Sequence, residues 1–179
     1  MKKVFLFVLI AMAAKSSFAQ QEKAAELSNA EKFSERSGTL IQKVFVEIGS
    51  LKKCEMKVIN YTDLISGTRT TALKFEYEVA GSYTSDTKMA VLDADEIDGL
   101  MKSIKIMQEK VMVTTPDLYT EVSFRARGGF EAGCFVSKGT WSTYLKLEKF
   151  DGKSYVFLEK EDLATLYTLL EQAKAKMLQ

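Results

Sequence analysis

The chain has 179 residues, with 25 Lys and Arg against 24 Asp and Glu, and no histidine. The absence of imidazole excludes Ser-His-Asp and Cys-His nucleophile activation, histidine metal sites and histidine acid–base chemistry. A carboxylate pair, a reactive lysine or a Ser-Lys arrangement remains open, while the near-neutral balance gives no electrostatic footprint for nucleic acid or anionic lipid.

The chain opens with Met1-Lys2-Lys3, an apolar run from Val4 to Ala14, and then Ser17-Phe18-Ala19. A positive start, a short apolar run and a small-x-small site predict a signal peptide over residues 1–19, cleaved after Ala19 to leave Gln20 first. The run is shorter than the ~20 residues a bilayer crossing needs, so no membrane span is expected after cleavage. The expected location is secreted or periplasmic. Lys2, Lys3 and Lys15 leave with the signal, taking Lys plus Arg from 25 to 22 against 24 acidic residues, a mature charge of about −2.

Residues 20–38 are polar and rich in Ala, Glu and Lys, and read as a tail or a short helix. Residues 39–179 have the length of one domain. Within 39–48, Val44-Phe45-Val46 favours an opening strand over a helix.

The central feature is a self-match at an offset of 66 residues. Val91-Leu92-Asp93-Ala94-Asp95-Glu96-Ile97 aligns with Phe157-Leu158-Glu159-Lys160-Glu161-Asp162-Leu163. The match continues as a helical stripe, with Ile97, Leu100, Met101, Ile104, Met107 and Val111 against Leu163, Leu166, Tyr167, Leu170, Ala173 and Met177. Helices are predicted at 94–110 and 160–177, the first opened by a capping box of Asp93 and Glu96. Upstream the period changes to two: Leu73, Phe75, Tyr77 and Val79 alternate with charged residues, and Trp141, Thr143 and Leu145 fall at the same offset. Pro116-Asp117, Gly128-Gly129, Lys138-Gly139 and Asp151-Gly152 punctuate the second half, the last as a hairpin signal.

The expectation is an α+β fold of two pseudo-repeats, 39–110 and 111–178, each of about four antiparallel strands and one helix. Together they would form one curved sheet with the helices packed on one face. In layout alone, doubled strand-rich units ending in a helix resemble the Pur-alpha/Whirly and TATA-binding-protein architectures. None of the nucleic-acid-binding motifs of those families is present.

Asp93 to Gly99 imitates a calcium loop in the wrong register, with Ile97 and Asp98 where an oxygen ligand and a glycine belong. Acidic residues favouring a helix N-terminus explain it better. No catalytic residue, metal ligand or cofactor site is assigned. Trp141 and Phe75 read as core, Tyr144 as the surface aromatic on the opposite face, and Arg125, Arg127 and Lys138 as a basic spot or a charged edge. Cys54 and Cys134 are the only cysteines, candidates for a disulfide in an oxidising compartment or for two buried thiols.

The halves differ most in the turn 128–133 and the loop 80–86, which places Phe130, Arg127 and Tyr83 on a tentative recognition surface. The resulting expectation is an exported, non-enzymatic binding module for a protein or a small apolar ligand. The alternatives are an extracytoplasmic hydrolase with carboxylate or Ser-Lys chemistry, and single-stranded nucleic-acid binding on a strand face.

Overall fold

A computed structural model describes residues 26–81 and 85–177. The expected signal peptide, its cleavage site and Tyr83 lie outside the described residues. A short helix α1 (Asn29–Ser34) precedes strands β1 (Ile41–Leu51), β2 (Cys54–Asp63), β3 (Arg69–Ala80) and β4 (Ser85–Asp93), then helix α2 (Ala94–Ile106) with a π-helical turn over Met107–Val111. Strands β5 (Thr120–Arg125), β6 (Glu131–Ser137), β7 (Thr140–Lys146) and β8 (Tyr155–Leu158) follow, and helix α3 (Asp162–Met177) closes the chain.

The α+β class holds, but the single curved sheet does not. The strands form two separate antiparallel meanders, β1-β2-β3-β4 and β5-β6-β7-β8. One hydrophobic cluster serves both. It gathers Met56, Leu73, Phe75 and Leu92 from the first sheet, Ala132, Cys134, Leu145 and Val156 from the second, and Ile97, Leu100, Ile104, Leu163, Leu166 and Leu170 from the helices. Burying each large side chain contributes roughly 1.5–3 kcal/mol. The halves interlock: α3, the last helix, packs on β1, β2 and β3 of the first sheet and on α2.

No single offset describes the ladders either. If Leu92 and Leu158, the last inner-facing residues before the helices, are matched, their partners Leu73 and Thr143 stand 70 apart. One strand further in, Val58 and Cys134 stand 76 apart. The β2–β3 and β3–β4 hairpins are longer than their counterparts, so the displacement grows strand by strand. Phe75 is therefore matched by Leu145, the partner of Val156, and not by Trp141, which lies opposite Val136.

Tight turns follow the local chemistry. Ser137 and Thr140 pair across Lys138-Gly139, and both turn residues have positive φ, 51° and 75°. That is the twist a two-residue hairpin needs. Lys52 and Lys53 adopt the same conformation between β1 and β2, with φ of 49° and 66° and no glycine to ease it. Lys52 is held there by Glu159 and Asp162 before and within α3, at 3.3 and 3.2 Å. The hairpin at Asp151-Gly152 is wider than the dipeptide suggests. Strand pairing ends at Lys146–Tyr155, and a 3-10 turn over Gly152–Ser154 fills the loop.

Of the stretch read as a tail or a short helix, the described residues 26–38 include the helix α1, and it docks. Ser28 and Glu31 form a capping box at the start of α1. Ala30 and Phe33 are buried on the outer face of the first sheet against Ile59, Tyr61 and Ala72. Asp93 completes the dock by accepting the backbone N–H groups of Asn29 and Ala30, at 2.8 and 2.9 Å. Its own N–H donates to Glu96 Oε2 at 2.9 Å, so the start of α2 is closed from its third residue.

Candidate recognition surface

The second sheet turns Ala132, Cys134, Val136, Thr143, Leu145, Val156 and Leu158 inward, and period two then assigns its other face. The register lays that outer face out in three cross-strand rows. These are Glu121-Phe135-Ser142, Ser123-Gly133-Tyr144-Phe157 and Arg125-Glu131-Lys146-Tyr155. Four of these residues are aromatic, and Tyr119 adds a fifth just before β5.

The rings form an unbroken chain from one edge of the sheet to the other. Tyr119 and Phe135 have centroids 6.3 Å apart, Phe135 and Tyr144 6.2 Å, Tyr144 and Tyr155 5.3 Å, and Tyr155 and Phe157 5.9 Å. The first three contacts are tilted, the arrangement the ring quadrupoles favour, and the last is stacked. The ends of the chain stand in solvent: Tyr119 is 69% exposed, Phe157 61%, and neighbouring Leu118 80%.

Gly133 makes the centre of this surface possible. Tyr144 lies across β6 over Gly133, and its hydroxyl donates to Glu121 Oε1 on β5 at 2.8 Å. A Cβ at position 133 would meet the Val122 carbonyl oxygen at 2.7 Å and the Tyr144 hydroxyl at 2.9 Å. The glycine read as part of a turn is a strand glycine at a close approach. Glu121 also accepts from the Tyr119 hydroxyl at 3.1 Å. Burial and Glu121 together hold the Tyr144 phenol well above its ordinary range. The cations on this face are engaged. Lys146 sits over the Tyr155 ring at 5.2 Å, and Arg125 pairs with Glu131 at 3.3 Å.

The residues expected at a recognition surface fare differently. Phe130 is 0% exposed and stacks on Phe75, with centroids 4.9 Å apart, so it is core. The flanking glycines turn the chain inward there. Arg127 is committed to structure: its guanidinium reaches Asp93 at 2.9 Å and Asp95 at 2.5 Å, and its backbone N–H donates to Glu96 at 2.6 Å. Arg125 and Arg127 share a cleft of about 190 Å³ with Glu26, Glu131 and Lys149. Lys138 lies apart from them at its hairpin turn. Tyr144 is on the face expected for it but only 3% exposed, because its neighbours and Glu121 close over it. Trp141 is half-buried and donates from its indole to the Thr114 carbonyl at 2.7 Å.

Cys54 and Cys134 are both free and buried in the common core, so no disulfide links the halves. Burial pushes the Cys54 thiol up to about 12 and the Cys134 thiol to about 11, which leaves both protonated and unreactive. The clusters that imitate catalytic chemistry are likewise occupied. Asp93, Asp95 and Glu96 surround Arg127. Lys88, nearly buried, pairs with Asp86 at 2.7 Å and Asp151 at 2.5 Å, and those carboxylates raise its pKa. A Ser-Lys base needs a lysine shifted the other way. Among the described residues no group of three or more Cys, Asp or Glu is arranged to hold a metal ion. No described helix is long and apolar enough to cross a membrane.

No protein-family model matches the chain, nor does any curated protein or solved structure.

Proposed function

We propose that the protein is an exported, non-enzymatic binding module whose recognition face is the outer surface of the second sheet. The observation that carries this reading is the edge-to-edge chain of rings, exposed at both ends and held in place by Glu121 and Gly133. Exposed apolar surface concentrated on one sheet face marks a site of association. Rigid aromatic groups give contact area at low conformational cost. The ligand class is a protein or a small apolar molecule. A nucleic-acid strand fits less well, because stacking platforms for it interleave rings with free cations. Here Lys146 and Arg125 are engaged, and Glu121 would repel phosphate.

The test is native mass spectrometry of the protein recovered after export, alongside the double variant Tyr119→Ser/Phe157→Ser. A bound species carried by the wild type and lost from the variant, with the fold of both unchanged by circular dichroism, supports the assignment. Wild-type protein that carries nothing and shows no chemical-shift change at this face when titrated with its cognate exported fraction would sink it.

A further inference from the structure

The outer edge of β1 presents a second, independent feature. β1 is an edge strand of eleven residues, about twice the usual length, and contains no proline. Among the described residues, its outer edge receives no backbone hydrogen bond between Ile41 and Leu51. Such an edge is a template for another strand unless something blunts it. Its side chains are apolar at the centre: Phe45 is 52% exposed and Val44 48%. A register shift between Glu47 and Gly49 ends the regular stretch on one side.

The sequence of that stretch is self-complementary. Lys43 and Glu47 flank Phe45 at equal distances, and all three share the outer face of the strand with Ile41. In an antiparallel pairing of two copies centred on Phe45, Lys43 of each copy faces Glu47 of the other. Phe45 then faces Phe45, and on the opposite face Val44 meets Val46. Opposite charges and large apolar groups placed directly across a ladder both favour pairing. A parallel pairing in register would set Lys43 against Lys43 and Glu47 against Glu47, and a slip of one residue would invert the faces. Glu47 is available for a new partner: its contact with Lys57 is long, 3.5 Å, and Lys57 already holds Glu55 at 2.8 Å.

We infer that the protein forms a symmetric dimer through β1, joining the two first sheets into one eight-stranded sheet across a twofold axis that passes beside Phe45. The interface is isologous, the commonest closed arrangement for identical chains, and it removes an exposed sheet edge. The aromatic face belongs to the other sheet, so each dimer carries two copies of it.

The experiment is sedimentation velocity of the mature chain over a range of concentrations, with a charge-exchange series. Wild type should sediment as a dimer. Lys43→Glu and Glu47→Lys should each weaken association at least tenfold, because each sets like charges face to face at both symmetry-related positions. The double variant Lys43→Glu/Glu47→Lys restores the complementarity and should restore the dimer. Circular dichroism on each single variant separates lost association from lost folding, and both positions are exposed enough for the fold to survive. A wild type that stays monomeric at several hundred micromolar overturns the inference. So does a dimer that both single variants leave unchanged.

Discussion

The outer faces of the two sheets have the same geometry and opposite chemistry. On the first sheet, α1 covers one end and the middle is a lattice of charge, with Phe45 and Met89 exposed on the two edge strands. Lys57 reaches Glu47, Glu55 and Glu76, and Lys74 reaches Glu76 at 3.3 Å. On the second sheet no described helix lies over the equivalent surface, which is built of rings. A solvated face needs only polar side chains, and exposed ion pairs of this kind contribute little each. Rings that end in solvent at Tyr119 and Phe157 instead cost free energy in the isolated protein, and this is the feature on which the proposed recognition role rests. Charge solvates most of the first sheet's outer face, while rings make up the second sheet's, which is the face proposed for recognition.

Substitutions in the shared core set the scale for that comparison, since they act beneath both faces. Phe130→Ala should cost about 3–5 kcal/mol and Leu166→Ala about 2–5 kcal/mol, measured by denaturant unfolding, because both side chains are fully buried. Equal loss of signal from the two sheets would show that they unfold as one unit. Arg127→Ala comes next, at about 3 kcal/mol, since it leaves the buried carboxylates of Asp93 and Glu96 without their cation. Arg127→Lys should recover only part, because a point charge cannot hold Asp93 and Asp95 at once.

Gly133→Ala attacks the aromatic face from below. Its Cβ would press on the Val122 carbonyl, and the cost should be about 1–3 kcal/mol, with the Tyr144 ring displaced in its NMR spectrum. The sharpest contrast is between Phe157→Ser and Lys57→Met. The first should leave stability within about 1 kcal/mol and abolish ligand retention. The second should change neither, and a ligand lost from Lys57→Met would reverse the roles given to the two faces.

The smallest effects come from pH. Cys54, Cys134 and Tyr61 have folded-state pKa values raised by burial to about 12, 11 and 12. The unfolded chain therefore loses these protons first. The associated stability is full below about pH 8.5 and falls as pH rises toward 11–12. At the acid end Asp95 is held below its ordinary value by Arg127. Its contribution is present above about pH 4 and is lost as pH falls through the lowered value. Unfolding midpoints across pH 2–11 check both limbs, and Arg127→Ala should flatten the Asp95 part of the acid one.

The long helices were legible because their apolar stripes repeat every three or four residues, from Ile97 to Ile104 and from Leu163 to Leu170. The sheets were less so. A periodicity of two shows that Phe75 and Trp141 lie in strands, but register depends on hairpin length, and unequal hairpins broke the match of the two residues. Gly-Gly before Phe130 reads as an exposed tip, yet the same flexibility lets the chain fold the ring into the core. The aromatic face was hidden for a related reason. Its residues are spread over four strands and become neighbours only through the ladder, and Gly133, which admits Tyr144, looks in sequence like the end of a turn. The Asp93–Arg127 network was also out of reach, since both residues had plausible local roles.

That network has a consequence for the order in which the molecule is completed. Helix α1 has six residues, too few to persist alone in water. Its start is capped by Asp93, 64 residues after Asn29, and Asp93 is neutralised by Arg127 another 34 residues on. A chain emerging N-terminus first presents α1 long before either group exists. The dock of α1 needs the first sheet and Asp93 to be present, and the charge on Asp93 is balanced only when the β5–β6 turn supplies Arg127. The first described helix thus closes on a site that residues from both halves of the chain assemble.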